Sequence, residues 1–242
     1  MKFSQDFGTN KHCQPFEVSL KDGAESFGVT VIEAVNASCA VLFAVGGGGN
    51  PNRHLPLLMN LAKEGCYVVA PHFSRLVSPI PNESDLLLRA RRLCLALDSV
   101  NPALRVIGVG HSIGATMLLA LAGGQAWMDP DRQLCIKSDS RLSKLVLLAP
   151  ALDFFRAPGA LAAVHKPISV WYGTEDKITP SIQGEVLKQG VPANTQIESN
   201  LIKGAGHFSF MNELPPQVTD SLLNREEFLS LLTDKVCHFV LD

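Results

Sequence analysis

The stretch Gly110-His111-Ser112-Ile113-Gly114 has the form Gly-x-Ser-x-Gly. An apolar run, Leu104–Val109, precedes it, and an Ala/Leu-rich run, Ile113–Ala122, follows it. These runs predict a strand and a helix, so Ser112 falls on a sharp strand-to-helix turn that lifts its hydroxyl above a sheet. The glycines keep the turn open, because a side chain at either position would meet neighbouring backbone. The helix that follows supplies unpaired N–H groups and the positive end of its dipole close to the hydroxyl. The residue types suit a nucleophile. A purely structural turn is the plainer reading, and the strand and helix around the motif weigh against it.

A serine hydroxyl attacks well only when a base takes its proton, and the base needs an acid to orient it. On a strand-turn-helix nucleophile the acid and the histidine follow the serine along the chain. The histidines downstream are His165, His207 and His238. His238 belongs to the terminal helical run and reads as a surface or packing residue, and His165 precedes a Lys-Pro leading into a strand. His207 lies in Lys203-Gly204-Ala205-Gly206-His207-Phe208, a glycine-rich loop after the strand pattern Gln196–Ile202. Loops at strand ends collect catalytic side chains, which makes His207 the candidate base. For the acid, Asp176 sits in Gly173–Pro180 after the strand Ile168–Tyr172, with Asp153 and Glu175 as alternatives. A helix-capping carboxylate is the plainer role for Asp176. The order Ser112, Asp176, His207 leaves gaps of 64 and 31 residues, enough for strand and helix units between them.

Acyl chemistry also needs donors for an oxyanion. The backbone N–H of Ile113, next to the nucleophile, is one candidate. The glycine run Val45-Gly46-Gly47-Gly48-Gly49-Asn50-Pro51 offers the other, with Gly47 favoured and Gly48 close behind. A ligand-free flexible turn is the alternative for that run. Gly48, His72 and Trp127, with Met128, are candidates to line a pocket. His111 is expected to pack below the nucleophile turn, and Trp171 to pack in the core.

Elements must hold these residues. Phe16–Leu20 and Phe27–Glu33 alternate around Lys21-Asp22-Gly23 and predict an antiparallel hairpin. Ala40–Val45, Tyr67–Ala70, Leu104–Val109, Lys144–Leu148 and Ile168–Tyr172 are short, continuous apolar runs, as strands covered on both faces require. Helical patterns separate them: Arg53–Glu64, Glu83–Val100, Ile113–Ala122, Ser181–Gln189 and Arg225–Leu241. The alternation predicts an α/β fold with a mostly parallel twisted sheet, helices on both faces and an antiparallel N-terminal hairpin. Residues 1–242 read as one domain.

Composition narrows the function. The 242 residues are 46% hydrophobic and 18% charged, ample for a packed core. With 21 basic and 23 acidic residues and no basic run longer than Arg91-Arg92, nucleic acid is not an expected partner. Ala40–Val45 and Leu145–Leu152 fall well short of the ~20 apolar residues that span a bilayer. Met1–Asn10 lacks the apolar stretch of a secretory signal, so no membrane role and a cytoplasmic location are expected. Six cysteines without a C-x-x-C pair are expected to be buried thiols, and no metal site is expected.

Taken together, Gly46–Gly49, Gly110–Gly114, Gly173–Pro180 and Gly204–His207 make the chain resemble the α/β-hydrolase superfamily over nearly its whole length. The small size, the helix over 89–100 and the segment His207-Phe208-Ser209-Phe210-Met211 resemble the dienelactone-hydrolase-like and acetylhydrolase-like branch. Two departures stand out. Dienelactone hydrolase itself uses a cysteine nucleophile where this chain has Ser112, and Val45 replaces the histidine that many relatives place before the oxyanion glycine. The resemblance implies a serine hydrolase with a Ser112-His207-Asp176 triad, no cofactor, a small-molecule ester substrate and, as in many relatives, a homodimer. Only 18 residues, Ala149–Lys166, lie where relatives insert a cap, so a minimal cap is expected, with Gln125–Leu142 forming a short flap. The site should then be open and mostly apolar, suited to a small or medium acyl ester.

Two other classes compete. A non-catalytic binding protein on the same fold would have no use for a nucleophile, base and acid together. A nucleotide-cofactor oxidoreductase draws on Gly108-Val109-Gly110-His111-Ser112-Ile113-Gly114, but the ribose-binding acid expected after the next strand is missing, since Asp129 and Asp131 lie in a Pro-containing loop.

Overall fold

The computed structural model describes residues 13–78 and 81–242, so the Met1–Asn10 segment lies outside the described residues. Strands β1 (Pro15–Asp22) and β2 (Glu25–Ile32) form the expected antiparallel hairpin. Then β3 (Cys39–Ala44), α1 (Leu55–Lys63), β4 (Cys66–Pro71), α2 (Glu83–Asp98), β5 (Arg105–His111) and α3 (Ile113–Leu121) follow in alternation. A small hairpin of β6 (Trp127–Asp129) and β7 (Arg132–Gln133) stands apart from the main sheet. The chain continues through β8 (Leu142–Leu148), β9 (Ile168–Gly173), α4 (Gly184–Gly190), β10 (Ile197–Ile202) and α5 (Arg225–Leu241).

Eight strands share one sheet in the order β1-β2-β4-β3-β5-β8-β9-β10. β2 joins β4 antiparallel, and from β4 to β10 every pairing is parallel. The continuous apolar runs have the cause expected of them. One buried cluster joins the sheet to α2, α3 and Leu187 of α4, and the other joins its opposite face to α1 and α5. β3 lies between the two clusters and all six of its residues are buried. α3 is buried along its whole length, which explains a sequence apolar on every side. By contrast β10, at the sheet edge, has only half-buried and exposed residues.

Local chemistry shifts some expected boundaries. The helix expected over Arg53–Glu64 opens as a separate 3-10 turn, Pro51–His54, in which the Asn50 side chain accepts the Asn52 amide. Pro56 then sits in the first turn of α1, where a missing N–H costs nothing. Ser181–Gln189 likewise divides into a 3-10 turn, Ser181–Gln183, and α4. The Gln125–Leu142 stretch holds the β6–β7 hairpin, and only a 3-10 turn, Asp153–Phe155, forms between β8 and β9. The expectation for the thiols holds in part: Cys39, Cys66 and Cys237 are buried, Cys13 and Cys94 half-buried, and Cys135 exposed. Cys135 follows the β6–β7 hairpin, outside both cores. Among the described residues no helix is long and apolar enough to cross a membrane.

Candidate active site

Four loops meet at the C-terminal ends of parallel strands, the usual place for a site in an open α/β sheet. They follow β3, β5, β9 and β10 and carry the glycine run, Ser112, Asp176 and His207 respectively.

Ser112 joins β5 to α3 with φ 55° and ψ −128°, a backbone state that costs a residue with a side chain ~1–3 kcal/mol. Its flanking glycines are what make that turn possible. A β-carbon on Gly114 would lie 2.0 Å from the Ala44 carbonyl oxygen, and one on Gly110 would lie 2.9 Å from the Ala115 amide nitrogen. α3 can therefore press against the sheet directly behind the serine. Ser112 stays half-buried, open to a ligand, while His207 and Asp176 are buried.

The structure brings these three side chains into one hydrogen-bonded line. The Ser112 Oγ and His207 Nε2 atoms are 2.9 Å apart, and His207 Nδ1 lies 2.8 Å from Asp176 Oδ2. An ionised carboxylate only accepts, so Nδ1 carries the proton of the neutral ring and Nε2 is left to accept from the serine hydroxyl. Asp176 is itself held firmly. Its Oδ1 accepts the amides of Ile178 and Thr179, both at 2.8 Å, and its Oδ2 accepts the Thr179 hydroxyl at 2.7 Å. Burial alone would raise this carboxyl. The hydrogen bond and charge of His207, with the Thr179 donors, outweigh burial and hold it below its ordinary value. Asp176 does not take the helix-capping role: the next helical turn, Ser181–Gln183, starts at Pro180 without a side-chain cap, and the carboxylate instead holds its own loop and the imidazole.

The other acids are occupied elsewhere. Asp153 binds Arg156 and the Gln183 amide, and Glu175 is exposed. His238 is exposed on α5, 3.3 Å from Asp242. His111 lies buried as expected and does more than fill space: its Nε2–H donates to the His207 carbonyl at 2.9 Å. Burial keeps His111 well below the usual histidine range, so it acts as a neutral donor that anchors the His207 backbone. The same loop is braced by Ser209, whose hydroxyl accepts the Gly206 amide and donates to Asp220 at 2.7 Å; Asp220 in turn pairs with Arg225.

The glycine run abuts the serine. A β-carbon on Gly46 would be 3.2 Å from the Ser112 β-carbon. Among the described residues, the amides of Gly47, Gly48 and Ile113 have no acceptor. Gly47 is half-buried and Gly48 exposed, with open space where its side chain would be. The pocket candidates divide. His72 is half-buried, its Nε2 at 2.7 Å from the Thr30 hydroxyl, whose proton goes to Asn52. Trp127 sits half-buried on β6 with its Nε1 shielded and, among the described residues, without a partner. Trp171 is buried in the core, as expected.

Two residues of the site escaped the sequence reading. Thr179 touches Asp176 and, at 3.0 Å, His207 Nδ1; an Asp-x-x-Thr spacing was the available signal. Arg89 is buried under the glycine run, and its signal was a cation on the apolar stripe of α2 between Leu86 and Leu93.

No protein-family model and no curated protein matches this sequence. Solved structures match its shape closely. A Thermoplasma acidophilum protein predicted to be a CIB-like hydrolase aligns over 93% of this chain and 99% of its own, with TM-score 0.64 and 15% identity. Dienelactone hydrolase from Anabaena variabilis aligns over 93% and 97%, with TM-score 0.61 and 21% identity. The esterase Est2 from Thermogutta terrifontis aligns over 94% and 91%, with TM-score 0.60 and 16% identity. The sheet order, the strained serine turn between β5 and α3 and these matches together establish that the chain has the α/β-hydrolase fold.

Proposed function

We propose that the protein is a serine hydrolase that cleaves small or medium carboxylic esters through an acyl-enzyme. The observation that carries this reading is the unbroken line from Ser112 Oγ through His207 to Asp176, at 2.9 and 2.8 Å. In this reading His207 Nε2 takes the Ser112 proton as Oγ attacks the ester carbonyl. The carbonyl oxygen becomes an oxyanion beside the free amides of Ile113 and Gly47. His207, now cationic and held by Asp176, returns its proton to the departing alkoxide as the C–O bond breaks. Water enters, loses a proton to His207 and attacks the acyl carbon; Ser112 Oγ leaves, recovering its proton from His207, and the carboxylic acid is released. The free amides support the oxyanion step, since removing one such donor typically costs ~2.7–4 kcal/mol. Neighbours described as esterases and a dienelactone hydrolase agree with the reaction class.

The test is incubation of the purified protein with short p-nitrophenyl esters and, separately, with a fluorophosphonate probe. Turnover together with covalent labelling of Ser112 is expected. The absence of both would overturn the reading.

A further inference from the structure

Arg89 is a buried cation without a carboxylate partner among the described residues. Its guanidinium instead donates to backbone carbonyls. Nη1 lies 3.3 Å from the Val45 oxygen and 3.2 Å from the Gly46 oxygen, while Nη2 lies 3.1 Å from the Ser74 oxygen and 3.5 Å from the Gly47 oxygen. The Phe73 ring covers it, 4.7 Å from the guanidinium carbon. Burial lowers Arg89 to about 10, which leaves it charged at neutral pH.

A bland side chain would serve the apolar stripe of α2 at lower cost, because a buried charge must be compensated. What this arginine adds is control of the glycine run. In a trans peptide the N–H points opposite to the C=O of the same unit. Carbonyls of Val45, Gly46 and Gly47 turned toward the guanidinium therefore turn the amides of Gly46, Gly47 and Gly48 away from it. The loop has four glycines and no regular structure beyond a turn, closed by the Gly49 amide on the Gly46 carbonyl at 3.1 Å. Left to itself, such a segment samples many orientations. Arg89 fixes three consecutive peptide planes at once. Its Ser74 bond, with the Leu76 amide on the Gly47 carbonyl at 2.8 Å, ties them to the loop after β4. A hydrogen-bonded carbonyl also polarises its own peptide unit, so the N–H on the far side becomes a better donor.

We propose that Arg89 is a positioning residue that orients and polarises the Gly47 amide as an oxyanion donor, acting from behind the peptide and never touching substrate. This rests on the serine-hydrolase reading above. The step it serves is the attack on the carbonyl, where negative charge develops, so its loss should lower kcat and leave KM nearly unchanged.

The experiment compares the wild type with Arg89→Met and Arg89→Lys on a p-nitrophenyl ester. Active sites are counted by the endpoint of fluorophosphonate labelling, and folding is followed by thermal melts. For Arg89→Met we expect kcat per labelled site to fall by about 10²-fold with KM within about threefold, the scale of losing one oxyanion donor. Arg89→Lys, which keeps the charge but reaches fewer carbonyls, should recover part of the loss. A structural role alone would lower the melting temperature and the number of labelled sites, with kcat per site unchanged in both variants, and that result overturns the proposal. Should Arg89→Met fail to fold, Arg89→Lys decides: kcat per site equal to wild type refutes the role, and a fall with constant KM supports it. An inert, unlabelled wild type would refute the hydrolase reading and this proposal with it, whereas an active wild type with indifferent variants refutes this proposal alone.

Discussion

At the scale of single residues, the site depends on how completely Asp176 is satisfied. The Thr179 hydroxyl has one proton and two acceptors in reach, Asp176 Oδ2 at 2.7 Å and the Ala149 carbonyl at 3.1 Å. The shorter contact, to a charged oxygen, takes it. Thr179→Val keeps the shape and removes this bond, so in the proposed reaction the carboxylate would hold a cationic imidazole with one donor fewer. A hydrogen bond to a charged group contributes ~1.5–3 kcal/mol, so kcat/KM should fall roughly 10- to 100-fold, readable in steady-state ester hydrolysis. An unchanged value would show that the two Asp176 Oδ1 contacts suffice. The meeting of Ser112, His207 and Asp176 in one hydrogen-bonded line was legible in the sequence because each belongs to a short local pattern at a strand end. Thr179 and Arg89 were not. The value of Arg89 lies in carbonyls 42–44 positions away in the chain, and no local spacing announces such a meeting.

At the scale of elements, the turn from β5 to α3 is the tightest joint. The collision that a Gly114 β-carbon would make with the Ala44 carbonyl is with backbone, which cannot rotate aside. Gly114→Ala should therefore destabilise the fold by about 3 kcal/mol or more. For a chain of this size that lowers the melting temperature by roughly 6–12 °C, measurable by calorimetry. The short 3-10 turn before α1 makes a second prediction. His54 is fully buried there, its ring tilted between those of Phe43 and His111, and neither ring nitrogen has a hydrogen-bond partner among the described residues. Burial, and secondarily the charge of Arg53, lowers it to about 3 from an ordinary 6.5. Below pH 6.5 the unfolded chain binds this proton and the folded chain does not, so stability is full above pH 6.5 and falls as pH drops toward 3. The slope is ~1.4 kcal/mol per pH unit for each such histidine, and His111 adds to it in the same direction. His54→Leu should remove one proton from that slope in urea denaturation at pH 7.5, 6 and 5. It should cost little at pH 7.5, since it also removes an unpaired buried donor. The turn itself was hidden in the sequence because Arg53–Glu64 carries one continuous helical pattern, interrupted only by Pro56.

At the scale of the whole molecule, the strand order places β3, β5, β9 and β10 so that their C-terminal loops converge, although they lie far apart in sequence. The alternation of apolar runs and helical patterns announced the α/β class. Each continuous run proved to be a strand with a core on both faces, as β3 between its two clusters shows. Strand order itself was not legible, because parallel neighbours such as β3 and β5 are chosen by packing of the intervening helices and not by any pattern within the strands. The segment between β8 and β9 holds only the 3-10 turn Asp153–Phe155, too little chain for a large cap over Ser112. The most direct measurement of the central claim is peptide mapping by mass spectrometry after fluorophosphonate treatment, run beside ester hydrolysis for the wild type and Ser112→Ala. One adduct per chain is expected, on Ser112, with hydrolysis lost in step with labelling and lowered at least about 10⁴-fold in Ser112→Ala. An adduct elsewhere, or hydrolysis that survives Ser112→Ala, would contradict it.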